Sequence, residues 1–376
     1  MKPEPPPEPA IAAITGAHGF IGRNLVVRLH ERGFATRQIT RQMAPDEARQ
    51  ALAESEFVFH LAGASRPADP QEFLASNRDY AAFVADAIAA GVKRPLVICS
   101  STIETQKHKE YYRSKRAGDA IMLDLAERDA ATVAIYRLPN VFGKWARPNY
   151  NSVVATFSHN LGRDLPITVH DPQAPLPLLY VDDLIDQWLG LLQRPPRASG
   201  FVDPDGVHQT TVGPVAEQLR SFASGRKSGF VEEVGSGLGR ALYATFVSAL
   251  PEEAFSYRLG AHIDERGLFA EILKTTASGQ FSFLTAHPGI TRGGHYHHSK
   301  VEKFLVVQGR ARFRFRHVLT GEIYELQTSG ELPMVVETIP GWAHDITNVG
   351  DELMTCLLWA NELFDPEHPD TVAMAV

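Results

Sequence analysis

The chain has 376 residues and a mass of 41.4 kDa, is 44% hydrophobic and 22% charged, and carries a formal charge of −7 with a pI near 6.1. That length favours two domains, each with a real core, and the acidic balance speaks against nucleic acid as a main partner. Two cysteines, Cys99 and Cys356, lie far apart, which excludes a disulfide framework and fits a reducing cytoplasm; no apolar run reaches the ~20 residues of a membrane span.

Residues 1–9 hold five prolines and no apolar core of a signal peptide, and read as an extended, disordered leader. Ile11–Thr15 is a short apolar run that predicts a first strand, followed by a glycine-rich turn. Phe20, Ile21, Leu25, Val26 and Leu29 then recur at helical spacing, and Gly33 closes that helix. Further strands are expected at 35–39 (the weakest signal), 57–62, 95–101 and 132–138, with helices at 73–90 and 111–128. This alternation predicts a doubly wound parallel sheet of Rossmann type.

Beyond Pro139 the alternation decays. A helix is expected at 181–193, opening on Asp182 and Asp183, whose carboxylates suit a helix N-terminus. Another is expected at 213–223, and residues 221–239, rich in Gly, Ser, Lys and Arg, read as loop. From about Tyr257 the pattern changes to short strands at 269–273, 280–285, 303–307, 311–317, 322–327, 335–339 and 353–359. Short strands with glycine-rich turns and no helix predict a β-sandwich or jelly-roll barrel. The boundary falls near residues 245–258, dividing the chain into 10–245 and 246–376.

Thr15-Gly16-Ala-His18-Gly19-Phe20-Ile21-Gly22 follows a strand and opens a helix. The first two glycines let backbone N–H groups approach a pyrophosphate, and the third permits close helix packing. An acidic residue at the end of the second strand would bond the ribose of NAD. That region reads Arg37-Gln-Ile-Thr40-Arg41, and arginines there suit the extra phosphate of NADPH. Leu61, Ala62 and Gly63 end the next strand, where ligands of open α/β sheets sit. With Gly16, His18, Gly19, Phe20, Ile21, Gly22, Arg41 and Lys115 they make up the expected cofactor contacts.

Tyr111 and Lys115 are four apart, on one helix face. A lysine there lowers the tyrosine pKa electrostatically, and the phenol can exchange a proton with a carbonyl or alkoxide. Ser100-Ser101-Thr102 supplies a hydroxyl at the end of the preceding strand. These motifs, with His60-Leu-Ala-Gly63, Asn77 and Arg137-Leu-Pro-Asn140-Val-Phe-Gly143, resemble the extended short-chain dehydrogenase/reductases over roughly residues 10–245. The resemblance implies Tyr111 as proton donor, Lys115 as its partner and Thr102 as the catalytic hydroxyl, with Ser101 the alternative. It also implies Asn77 and Asn140 as substrate contacts. Nucleotide-sugar dehydratases of this superfamily follow the hydroxyl with Asp-Glu; here Ile103-Glu104 follows Thr102, which points to hydride transfer without water loss.

In the second half, His295 and His297 are one residue apart and would face one side of a strand. With Glu302 and His344 they offer three nitrogens and one oxygen, a set suited to Zn²⁺ or another divalent ion. His298 competes as a ligand, but strand alternation would aim it away. Gly289, His295, His297, Glu302 and Gly309 resemble the first motif of the cupins, and Pro340-Gly341-Trp-Ala-His344 resembles the second with one spacer residue fewer. Residues 264–271 resemble the opening of deoxysugar epimerase cupins, which implies Arg266 near the nucleotide phosphates.

A reductase followed by an epimerase-like cupin resembles the bifunctional enzymes of bacterial capsular polysaccharide synthesis. The resemblance implies a UDP-4-keto-6-deoxy-N-acetylhexosamine substrate, epimerised beside its carbonyl and then reduced with NADPH. It also implies a bound zinc and a homodimer. The base of the cupin is not legible: Tyr296, His298 and Lys303 lie near the motif.

Overall fold

The computed structural model describes residues 10–65, 69, 71–103, 109–258, 261–264, 267–270, 273–275, 279–362 and 367–376. The leader at 1–9 and the expected substrate contact Arg266 lie outside the described residues. By the contacts its residues make, the chain divides into two compact units: Met1–Val141 with Pro177–His208, and Phe142–Leu176 with Gln209–Val376. The type of structure still changes near the expected boundary, since helix Gly237–Ser248 precedes strand Ser256–Arg258. Compactness follows other lines, because helices Val153–Leu161, Val212–Ser228 and Gly237–Ser248 pack on one another within the second unit.

The first unit holds a six-stranded parallel sheet in the spatial order Ala35–Ile39, Ile11–Thr15, Phe57–His60, Leu96–Thr102, Thr132–Leu138, Gly200–Val202. Its inner strands are apolar on both faces: Ala12, Ala13, Ile14, Val58, Phe59, Val97, Val133 and Ile135 are all buried. Strands covered by helices on both sides read as continuous apolar runs for this reason. Chain direction across the sheet reverses between Ile11–Thr15 and Phe57–His60, and ligands of such sheets sit at that point beyond the strand ends. Helix Val181–Gln193 opens on Asp182 and Asp183 as expected and buries Leu184, Ile185, Trp188 and Leu192 at three- to four-residue spacing. The Trp188 ring lies 5.9 Å from Phe59 and 5.8 Å from Tyr136. Truncating a tryptophan so enclosed costs about 3–5 kcal/mol.

The single helix expected at 73–90 is three pieces: Gln71–Leu74, a π-helical turn Ala75–Asp79, and Tyr80–Ala89. A π turn inserts a residue into the helical period and re-aims its side chains, and here Asn77 becomes buried. Gly118 accommodates the bulge, because a Cβ there would lie 2.4 Å from Asn77 O.

In the second unit, two five-stranded antiparallel sheets carry most of the strands. One has the order Ser256–Arg258, Met334–Glu337, Glu302–Gln308, Met354–Ala360, Gln280–Ala286; the other runs Ile323–Ser329, Arg310–His317, Trp342–Asn348, Thr291–Tyr296, Val372–Ala373. Strand Arg310–His317 alternates Ala311, Phe313 and Phe315 inward with arginines outward, and Phe313 meets Phe304 of the other sheet at 5.7 Å. Residues 221–239, expected as loop, are largely helical: Val212–Ser228 continues to a left-handed cap at Gly229 (φ 74°), and the next helix starts at Gly237. Phe222 is buried, and Gly225 leaves room for Phe230 O, which a Cβ would approach to 2.3 Å. Packing therefore outweighs the polar composition. No helix among the described residues is long and apolar enough to cross a membrane.

Candidate functional site

Where the sheet order reverses, the two strand ends are tied together. Thr15 Oγ1 lies 3.0 Å from His60 Nδ1 and accepts a hydrogen bond from Ala62 N at 3.2 Å. Burial, with Lys115 adding to it, pushes the His60 imidazole down to about 3, so the ring is neutral. Gly16 takes φ +72°, and a Cβ there would lie 2.7 Å from Ala62 N; at Gly22 it would lie 2.2 Å from Gly16 O. Helix Phe20–Glu31 starts after Gly19 with no side-chain cap, which leaves its first-turn N–H groups for an anion.

A cleft of about 640 Å³ opens at this point. Of the expected cofactor contacts, Gly16, His18, Gly19, Arg41, Leu61, Ala62 and Gly63 line it, whereas Phe20, Ile21, Gly22 and Lys115 do not. Arg37 pairs with Glu54 at 2.8 Å, so Arg41 is the arginine of this segment on the cleft. Glu72 and Tyr80 also line it. No sequence signal marked them, because they come from the interrupted helix rather than from a strand end.

Tyr111 and Lys115 share helix Lys109–Glu127. Lys115 Nζ donates to Ser100 O at 2.6 Å and lies about 4.0 Å from where a Cβ on Gly63 would be. The lysine thus reaches the end of strand Leu96–Thr102 beside the cofactor loop. Burial holds its ammonium below the usual range, against the opposing charge of Asp119. Tyr111 is half-buried, with the Phe73 ring at 5.9 Å. Ser101 Oγ donates to buried Asp119 at 2.5 Å, whereas half-buried Thr102, among the described residues, makes a 3.3 Å contact to the adjacent Ile103 O. Of the two candidate hydroxyls, Thr102 is therefore the one less engaged.

Asn77, expected as a substrate contact, is instead 3% exposed and committed to the protein. Its Oδ1 accepts from Ala64 N at 3.0 Å, and its Nδ2 donates to Ala64 O at 3.0 Å and to Ser114 Oγ at 2.9 Å. The π turn buries the amide, and both its donors are taken. Asn140 is exposed, with Nδ2 3.3 Å from Pro177 O.

In the second unit His295, His297, Glu302 and His344 come together, each offering a ligand atom within 4.8 Å of the others. His295 and His344 face each other across adjacent strands, with rings 4.7 Å apart. Glu302 opens a strand of the opposite sheet. Burial, with His344 and His297 adding to it, pushes His295 down to about 4. Burial alone would raise Glu302, but the His297 and His344 rings beside it hold its carboxyl well below the usual carboxylate range.

The set fits a cation. His344 is 4% exposed, and among the described residues neither ring nitrogen has a formed hydrogen bond, Nε2 standing 3.4 Å from Glu302 Oε2. Three neutral imidazoles and one carboxylate are the donors a divalent first-row ion takes. His298 is not in the cluster; its ring lies 5.5 Å from Tyr296. Lys303 is buried in a different constellation: Nζ bonds Tyr257 Oη at 3.0 Å and pairs with Glu337, which also pairs with Arg226. Gly341 of the second histidine motif takes φ +84° and lies against the Trp145 ring, and its N–H donates to His297 O at 3.0 Å.

Comparison with known proteins finds a match in each half. Residues 12–200 match the model of the NAD dependent epimerase/dehydratase family, and residues 262–372 match a polysaccharide biosynthesis C-terminal domain. Over 364 residues the chain is 48% identical to a UDP-2-acetamido-2,6-beta-L-arabino-hexul-4-ose reductase of Pseudomonas aeruginosa, covering 96% of this chain and 98% of that one. Among solved structures it is similar to the capsular polysaccharide assembling protein CapF from Staphylococcus aureus, at 39% identity and a TM-score of 0.66, over 97% of this chain and 100% of that one. UDP-N-acetylglucosamine 4-epimerase from Bacillus cereus, 18% identical with a TM-score of 0.51 over 57% of this chain and 82% of that one, shares the fold alone. The first model matches half of this chain and the 48% identical relative spans nearly all of it, and the chain belongs to the NAD dependent epimerase/dehydratase family.

Proposed function

We propose that this chain is a two-site nucleotide-sugar oxidoreductase of polysaccharide synthesis. Its substrate is a UDP-4-keto-6-deoxy-N-acetylhexosamine. A cupin jelly roll at 246–376 inverts C3, and a reductase domain at 10–245 reduces the C4 ketone. The product is UDP-N-acetyl-6-deoxy-L-talosamine, a precursor of UDP-N-acetyl-L-fucosamine, and the working form is a homodimer. The observation that carries the reading is the presence in one chain of the Tyr111/Lys115 helix, with Lys115 anchored on Ser100 O, and the buried three-histidine, one-glutamate cluster. The relative from Pseudomonas aeruginosa, named as a 4-ulose reductase of an acetamido sugar, supports the same substrate class.

When bound, NADPH supplies a hydride and a divalent cation such as Zn²⁺ polarises a carbonyl oxygen. The residues of the chain do the rest. Gly16, Gly19 and the helix start take the pyrophosphate, and Arg41 takes the additional phosphate. Lys115 shares the helix of Tyr111 as its cationic partner, Thr102 bonds the oxygen at C4, and the Tyr111 phenol delivers a proton to that oxygen as it gains charge. In the barrel, His295, His297, Glu302 and His344 hold the cation. Removal of a hydrogen beside a carbonyl needs that carbonyl, so reduction at C4 ends the exchange and retains the inverted product.

A second reading keeps the reductase and makes the barrel inert, because four protein ligands leave a metal little room for substrate. Incubation with the keto sugar in deuterated water, without NADPH, separates the two. Deuterium entering beside the carbonyl supports an active barrel, and none entering leaves a reductase alone. With NADPH present, Tyr111→Phe is expected to lower ketone reduction by about 10²–10⁴-fold; unchanged turnover would remove Tyr111 from the chemistry.

A further inference from the structure

One side of the four-ligand cluster is fastened by a segment that carries no recognisable motif. Val372–Ala373 pairs antiparallel with Thr291–Tyr296, setting Ala373 opposite His295. Two residues before it stands Asp370. One carboxylate oxygen accepts from His298 N at 2.8 Å; the other accepts from Ser299 N at 2.6 Å, Lys300 N at 2.8 Å and Ser299 Oγ at 3.1 Å. Three successive backbone N–H groups converging on one carboxylate form an anion nest, here filled from within the chain. The main-chain carbonyl of the same residue bonds His297 Nδ1.

That second bond has a chemical consequence. A carbonyl oxygen only accepts, so Nδ1 carries the hydrogen, and in the neutral ring Nε2 presents a lone pair. Nε2 lies 3.2 Å from Glu302 Oε2. A neutral His297 then faces the Glu302 carboxylate acceptor to acceptor, and a cation beside the two removes that repulsion. Asp370 therefore does two things to one histidine: its carboxylate anchors the turn that follows His297, and its carbonyl sets the tautomer. We propose that Asp370 is a positioning residue of the barrel's metal centre, holding His297 with a bare Nε2 directed at the ion. The proposal rests on the metal reading above and extends it to a residue 73 positions from His297. Such outer partners orient metal-bound histidines, and losing one costs about 10–100-fold in metal affinity.

The test uses the full chain stripped of metal. Zn²⁺ is titrated in competition with a chromophoric chelator, and the visible absorption of the Co²⁺-loaded protein is recorded. The variants are Asp370→Ala and the near-isosteric Asp370→Asn, which keeps the packing if the alanine fails to fold; melting temperatures of the metal-free proteins check folding. The expected result is one ion per wild-type chain, at least tenfold weaker Zn²⁺ binding in Asp370→Asn, and an altered Co²⁺ spectrum. Wild-type binding with unchanged affinity and spectrum in Asp370→Asn, even with a lower melting temperature, would make Asp370 a mere fastening of strand Val372–Ala373. That outcome overturns the proposal and leaves the metal reading intact. A wild-type chain that takes up no ion overturns both.

Discussion

The side-chain amide of Asn77 donates to Ser114 Oγ at 2.9 Å, and Ser114 Oγ donates in turn to the backbone carbonyl of Tyr111 at 2.7 Å. The same amide brackets Ala64 through both its N–H and its C=O. One buried side chain thus registers the helix of Tyr111 and Lys115 against the loop that follows strand Phe57–His60. Asn77→Ala would strand several partly buried polar groups, at about 1–3 kcal/mol. A lower melting temperature is expected, together with a raised KM for the nicotinamide cofactor, because Leu61, Ala62 and Gly63 line its cleft. Steady-state kinetics with varied cofactor would reveal this, and an unchanged KM would confine Asn77 to stability.

His60 makes the stability of the first unit depend on pH. Burial, with Lys115 adding to it, holds the ring at about 3 against an ordinary value of 6.5. Between those values the unfolded chain binds a proton that the folded chain refuses. Stability therefore falls as pH drops below 6.5 and keeps falling toward 3. Between pH 7 and pH 5 this group alone removes ~2 kcal/mol. Urea unfolding of the wild type and His60→Gln at both pH values isolates the contribution: the variant should lose less stability on acidification. Equal losses would show that His60 titrates normally.

Arg41 lines the cleft, whereas Arg37 is held by Glu54. If Arg41 receives the additional phosphate, Arg41→Ala lowers the preference for NADPH over NADH by about tenfold or more, the worth of one charge-assisted hydrogen bond. The ratio of kcat/KM for the two cofactors reads this directly. Glu72, on the same cleft, sharpens the comparison: Glu72→Gln should leave the ratio unchanged or raise it.

Much of the site was readable because its constraints are local. Gly16 needs a positive φ and Gly22 a close backbone approach, and both requirements fall within one turn. His295 lies in strand Thr291–Tyr296 and His297 one residue past its end, near enough for the alternation of strand side chains to anticipate their meeting, while His298 packs on Tyr296 outside the cluster. Helix Val212–Ser228 runs past the expected 213–223, since serine, glycine, lysine and arginine resemble loop until the burial of Phe222 is known.

Residue type and spacing alone determined that a parallel sheet bears a nucleotide turn and that three histidines and a glutamate gather in the half built of short strands. Only the tertiary structure decided that Ser101 belongs to Asp119, that Asn77 braces the Tyr111 helix, that Lys303 faces Glu337, and that Asp370 grips the turn after His297. Each of these contacts joins residues 18 to 72 positions apart. Periodicity constrains neighbours within a turn or along a strand, whereas partners so distant meet only when whole elements pack, and a short polar side chain carries no mark of which partner it will meet.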